Sequence, residues 1–167
     1  GSAGACILMW LGFHDDLADP VKRESTRLIA LAPSGGQPTI SPVNFREWFG
    51  VKNLMPHPAM RAIFGLRGEG LIENWTPELT ERARISSPIT YLTRDDPPCY
   101  QTYGSADTPV TEKTKPNERV HHPRLGIKLK EAMDKLGIRR VPNHRQHKRK
   151  EGRFVSHIER NELIVTG

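Results

Sequence analysis

Apolar segments of different lengths alternate with polar ones along this chain. A nearly continuous apolar run covers residues 3–13 and is too long for a typical strand, so it predicts a buried helix that ends before Pro20. Two shorter apolar runs, residues 26–33 and 97–104, are bounded by Pro, Ser and Gly and predict buried strands. A weaker third strand is predicted at IRRVPNH, where Pro142 favours an edge position.

Helical signals are clearest near residue 130. In HHPRLGIKLKEAMDKLG, Pro123 suits the first helical position and Gly137 suits the C-terminal stop. One face of this helix would carry Leu125, Leu129, Met133 and Leu136. Short helices are expected in the irregular segment 37–87, and GRFVSHIERNEL predicts a last short helix.

This order of elements predicts a fold class. Helix, strand, insertion, strand, helix, strand and helix in succession are typical of an α/β protein with a parallel sheet and helical crossovers. Ligands of such sheets bind at the carboxyl ends of the strands. The turn GSADTP after the second predicted strand places Asp107 there, and Ser2 stands just before the first helix.

Composition adds a few limits. The 167 residues are enough for one domain, and no apolar stretch approaches the length of a membrane span. Cys6 and Cys99 lie in apolar surroundings and are expected to be buried thiols. The net charge of +6 is concentrated in residues 139–153, which hold seven Lys or Arg against one Glu.

Two stretches of the sequence resemble a known family. SSPITYLTRDDPPCYQTYGSADTPV followed by HHPRLGIKLKEAMDKLGI is similar to the C-terminal half of α/β-hydrolase-fold esterases and lipases. The opening SAGACILMWLGFHDDLADP is similar to their nucleophile elbow and following helix. The resemblance covers most of residues 1–138 and is most specific over 86–137. It implies a partial α/β-hydrolase fold in which residues 1–167 form the C-terminal portion of one domain, with a helical, lid-like insertion over 37–87.

The same resemblance implies a catalytic triad. Ser2 matches the nucleophile, the backbone N–H of Ala3 matches an oxyanion donor, and Asp107 matches the acid. The histidine is expected after the last strand, where His144 is favoured by position over His147, and His157 is a more distant choice. The implied function is cleavage of small-molecule carboxylic esters through an acyl-serine intermediate, without a cofactor or metal.

Simpler interpretations of these residues stay open. Ser2 could be the remnant of a cleaved expression tag, and Asp107 could cap its own turn. His144 and His147 could be exposed residues of a basic loop. His121, His122 and the HDD at residues 14–16 invite a metal hypothesis, but they lack a second ligand cluster, so capping or surface roles are favoured.

An esterase of this type needs parts that the sequence does not contain. The strand before the elbow and the loop with the second oxyanion donor are both absent, which indicates a portion of a longer enzyme and predicts little or no activity in isolation. The alternative function is a non-catalytic module that contacts polyanions through residues 139–153, although nucleic acid is not the favoured partner. Salt would discriminate, because binding through phosphates weakens steeply as salt rises.

Overall fold

The structure, a computed structural model, is built mainly from short helices. It describes residues 1–14, 25, 27–54, 57–66 and 75–138. The elements are α1 (Ser2–Gly12), α2 (Pro42–Phe49), α3 (Pro58–Ile63), α4 (Pro77–Ile85), a 3-10 turn (Pro88–Tyr91), α5 (Pro116–Val120) and α6 (Pro123–Leu136). Every element after α1 begins with proline, whose fixed φ and missing N–H suit the first helical turn. The expectation of short helices within residues 37–87 is confirmed by α2, α3 and α4.

Helix α6 confirms the strongest prediction. It begins at Pro123 and ends at Leu136, followed by Gly137 with φ of 67°, a left-handed conformation that favours glycine. Leu125, Leu129 and Met133 are buried on one face. The helix therefore ends at a left-handed position that glycine adopts without steric cost.

Helix α1 agrees with its predicted bounds to within a residue, but it is not buried all round. Ala5 and Met9 face the interior, whereas Ile7 is 60% exposed and Leu11 is 46% exposed. The buried face approaches the following segment closely, because a Cβ on Gly36 would lie 2.8 Å from the Met9 Cε atom. The apolar run therefore predicted the helix but not which of its faces is covered.

The predicted parallel sheet is wrong for the part of the chain that the structure describes. The expected strands at 26–33 and 97–104 are not strands, and no strand occurs among the described residues. These segments meet through two isolated parallel bridges, Leu31 with Cys99 and Ser34 with Thr102. The predicted α/β fold class, a partial α/β-hydrolase fold with a parallel sheet and helical crossovers, is therefore wrong, and these residues form a helix-rich arrangement instead. The predicted third strand and the last helix lie outside the described residues.

Proline explains why the two bridges do not join into a ladder. The Leu31 N–H donates to Pro98 O, the Tyr100 N–H to Leu31 O, and the Thr102 N–H to Pro33 O. In a continuous parallel ladder the next donor would be the N–H of residue 33, which proline lacks. The ladder is interrupted at that point, so the apolar run gains only isolated pairing.

The core consists of two groups of buried side chains. The first contains Ile40, Phe45, Leu54, Met60, Phe64, Leu79, Ala83, Tyr103, Val120 and Leu125. The second contains Met9, Phe13, Leu31, Cys99, Leu129, Met133 and Ile138. Helix α6 belongs to both, through Leu125 at its first turns and through Leu129 and Met133 further along. This helix therefore packs against the first core group and also against the second, which includes Met9 of α1.

Both cysteines carry thiols shielded from water. Cys99 is fully buried and Cys6 is partly buried, and neither forms a disulfide. Burial raises the pKa of Cys6 to about 11 and raises that of Cys99 as well. The expectation of buried thiols is confirmed for Cys99 and holds in part for Cys6.

Candidate functional site

Ser2 has an unusual backbone conformation at the start of α1. Its φ is 49°, and no other non-glycine residue in the described ranges has a positive φ. Such a conformation costs on the order of 1–3 kcal/mol and is found preferentially at functional sites. The Ser2 N–H donates to the Ser34 carbonyl oxygen at 3.0 Å, which holds the strained residue in place. Its side chain is left exposed.

The Ser2 hydroxyl meets a histidine from the other end of the described chain. His121 Nε2 lies 2.8 Å from Ser2 Oγ, and His121 Nδ1 lies 2.9 Å from the backbone carbonyl oxygen of Asn117. A carbonyl can only accept, so Nδ1 carries the proton in the neutral ring. Nε2 is then an acceptor, and the Ser2 hydroxyl must donate to it. This is the tautomer that a general base needs to remove a proton from serine.

Glycine makes room for the histidine ring. Gly35 has φ of 57°, and a Cβ on it would lie 3.2 Å from the Cδ2 atom of His121. A side chain here would therefore be strained in its backbone and would press on the ring. The absence of a side chain at residue 35 lets the imidazole reach Ser2.

Backbone donors are available in the first turn of α1, the helix that begins at Ser2. The N–H groups of Ala3 and Gly4 belong to the first turn of α1, where no intrahelical acceptor precedes them. The helix dipole adds partial positive charge at this end. The role of the Ala3 N–H as an oxyanion donor stays a prediction.

Asp107 pairs with Arg124 rather than with a histidine that contacts Ser2. Its carboxylate accepts two hydrogen bonds from Arg124, at 3.1 Å from Nε and 2.9 Å from Nη2. One of its oxygens is 3.7 Å from His122 Nδ1. Asp107 is therefore part of a cluster with Arg124 and His122, and its assignment as the acid of a triad stays a prediction.

His122 has the structural role that was favoured for it. It is buried at the N-cap of α6, where its Nδ1 accepts from the Arg124 N–H at 3.1 Å, while Nε2 lies 3.0 Å from Thr108 O and donates to it. Burial lowers the pKa of His122, although the Thr108 carbonyl and the Asp107 carboxylate oppose that shift. His57 caps α3 in the same manner through its Nδ1 atom. Burial, followed by the charges of His121 and Arg119, lowers its pKa.

His144, His147 and His157, together with the basic segment 139–153, lie outside the described residues. The function of a polyanion-binding module therefore stays a prediction. Within the described ranges, no cluster of three or more metal-ligating side chains occurs, and no helix is long and apolar enough to cross a membrane.

Sequence reasoning missed His121 as the partner of Ser2. The doublet HHP indicated capping or surface roles for both histidines; His122 is the N-cap of α6 and His121 is the C-cap of α5, but the ring of His121 also contacts Ser2. The two rings differ because Pro123 starts α6, which fixes His122 as the N-cap and leaves His121 at the end of α5. No local pattern says that the end of α5 lies beside residue 2.

Comparisons with protein-family models, with curated proteins and with solved structures found no match to this chain.

Proposed function

We propose that this chain is a serine hydrolase that cleaves carboxylic esters, with Ser2 as the nucleophile and His121 as the general base. The 2.8 Å contact between Ser2 Oγ and His121 Nε2 supports this proposal most directly. The left-handed backbone of Ser2 and the tautomer fixed by Asn117 support it independently.

The reaction follows the usual course of acyl transfer. Ser2 Oγ attacks the carbonyl carbon of the ester while His121 Nε2 takes the hydroxyl proton. The tetrahedral oxyanion faces the N–H groups of Ala3 and Gly4. The C–O bond to the alcohol then breaks, and His121 returns its proton to the leaving alkoxide. Water, deprotonated by the same nitrogen, hydrolyses the acyl-serine to the free acid and restores Ser2.

Asn117 takes the orienting position that a carboxylate has in a full triad. Its carbonyl oxygen fixes the His121 ring through Nδ1–H, which preserves the required tautomer. A carbonyl carries no net charge, so it stabilises the imidazolium less than a carboxylate does. We therefore expect a slow hydrolase, best detected by an irreversible probe.

A fluorophosphonate probe tests the proposal on the 167-residue chain. Wild type should be labelled at Ser2, and Ser2→Ala should remove the label. Ser34→Ala is the matched control, since this hydroxyl lies near the site but accepts from Thr102 Oγ1 at 3.1 Å. Labelling that survives Ser2→Ala, or its loss in Ser34→Ala alone, would contradict the proposal. An unlabelled chain that binds a polyanion with steep salt dependence would favour the alternative function.

A further inference from the structure

Gln37 has a buried side chain that joins the two segments around the Ser2–His121 pair. Only 6% of the residue is exposed. Its Nε2 atom donates to the Gly35 carbonyl oxygen at 3.0 Å and to the Val120 carbonyl oxygen at 2.7 Å. A primary amide has two N–H groups, so one nitrogen can satisfy both carbonyls.

The first of these segments contacts both members of the pair. The Ser34 carbonyl accepts the N–H of Ser2, and Gly35 lies against the ring of His121. The Gly35 N–H donates to the Thr102 carbonyl at 2.7 Å, so the far side of this segment is also held. Residues 34 and 35 are therefore the surface on which the serine and the imidazole meet.

The second segment is the end of α5. Val120 is its last residue and directly precedes His121, whose ring is tied to Asn117 one turn earlier. The position of α5 therefore sets the position of the imidazole. α5 has only five residues, and a helix this short is marginal without tertiary support. The Gln37 hydrogen bond to Val120 provides such support at the residue next to the ring.

We propose that Gln37 is a positioning residue for the Ser2–His121 pair, acting by holding the end of α5 against residues 34 and 35. Its effect on reactivity rests on the proposed function, whereas its effect on the ring of His121 does not. Removing the amide leaves the buried Val120 carbonyl and the partly buried Gly35 carbonyl without this donor, so α5 shifts and the 2.8 Å contact lengthens.

Gln37→Leu is the direct test, with Gln101→Leu as its matched control. Gln101 is also a buried glutamine, but its amide contacts the Met9 sulfur and the Tyr103 hydroxyl rather than the pair. Fluorophosphonate labelling of Ser2, measured well below both unfolding temperatures, should slow at least about tenfold in Gln37→Leu. In Gln101→Leu it should stay within about twofold of wild type.

Nitrogen-15 NMR of the histidine rings supplies a measurement that needs no activity. At roughly pH 9, where an ordinary imidazole is neutral, His121 should show the Nδ1–H tautomer in wild type and in Gln101→Leu. In Gln37→Leu it should show a mixture of both tautomers. In wild type itself, both Gln37 side-chain protons should exchange slowly with water, which tests the two hydrogen bonds even where a variant fails to fold.

Each outcome decides one point. Equal labelling rates with an unchanged tautomer in Gln37→Leu, or fast exchange of the Gln37 amide in wild type, would overturn the positioning role. If wild-type Ser2 is not labelled but the tautomer changes only in Gln37→Leu, the proposed function fails and the positioning of His121 by Gln37 stands.

Discussion

His121 and His122 are neighbours in the chain but have opposite surroundings. His121 is partly exposed, and its Nε2 faces the hydroxyl of Ser2, a residue 119 positions away. His122 is buried, and both of its nitrogens are engaged by backbone groups within 14 residues. A histidine whose two ring nitrogens both form hydrogen bonds with backbone groups has a structural role. A histidine with one nitrogen free to accept a proton from a serine hydroxyl is suited to general base catalysis.

Their neighbouring carbonyls and carboxylates sharpen this contrast. The ring of His121 is oriented by the Asn117 carbonyl, while the Asp107 carboxylate lies on the side of His122 and Arg124. The acidic group predicted to assist catalysis is thus found with the structural histidine. The predictions below test whether the two rings divide their roles in this way.

We expect the largest effect from His121→Ala. Loss of the general base should lower the labelling rate of Ser2 by about 10²–10⁴-fold. The unfolding free energy should change by less than about 1 kcal/mol, because the ring is partly exposed. Labelling rate and urea unfolding are the two measurements. A rate within threefold of wild type would show that His121 is not the base and would direct attention to the histidines beyond residue 138.

His122→Ala should show the reverse pattern. It removes the N-cap of α6 and the hydrogen bond to Thr108, and it leaves a cavity in a buried position. We expect a loss of about 2 kcal/mol or more in the unfolding free energy, measured by urea titration. At low denaturant, the labelling rate should stay within about threefold of wild type. A stability equal to wild type would contradict the structural role of this ring.

Stability should also depend on pH through His122. Its pKa is lowered in the folded state, so the unfolded chain binds the proton more readily. Neutral His122 makes its full contribution to the unfolding free energy above about pH 6.5, and this contribution is lost as pH falls toward the lowered pKa. The unfolding free energy should then change by at most about 1.4 kcal/mol per pH unit because of this residue. His122→Asn keeps a capping side chain and should flatten this slope between pH 5.5 and 7. His57→Asn, at a more exposed cap, should flatten the slope of stability against pH less. An equal slope in wild type and His122→Asn would refute the lowered pKa of His122.

Asp107→Asn should have the smallest effect. The ion pair with Arg124 is partly exposed, with 23% and 39% of the two side chains accessible, so its loss should cost below about 1 kcal/mol. The labelling rate of Ser2 should change by less than about threefold, since the carboxylate contacts His122 rather than a ring bound to Ser2. A loss of several orders of magnitude with an intact circular dichroism spectrum would instead confirm Asp107 as the acid of the triad.

Local signals predicted individual helices well. Pro123, the apolar spacing of residues 125–133 and Gly137 act within a few residues of one another, so they defined α6 without knowledge of its neighbours. The run at residues 26–33 predicted a strand for the same local reasons, and here the prediction was wrong. A strand needs a continuous partner, and Pro33 removes one donor where that partner would pair.

The sequence by itself determined α6 and favoured a capping or surface role for His122, because these follow from residues that are close in the chain, whereas Ser2 as nucleophile and the N–H of Ala3 as oxyanion donor came from the resemblance and stay predictions. Only the tertiary structure decided that His121 meets Ser2 and that Asp107 pairs with Arg124. The physical reason is that both contacts join residues separated along the chain, by 119 positions for Ser2 and His121 and by 17 for Asp107 and Arg124, so they depend on how the core packs the helices together. Hydrophobic packing is not directional, so a pattern of apolar residues does not encode which polar groups it brings within hydrogen-bond distance.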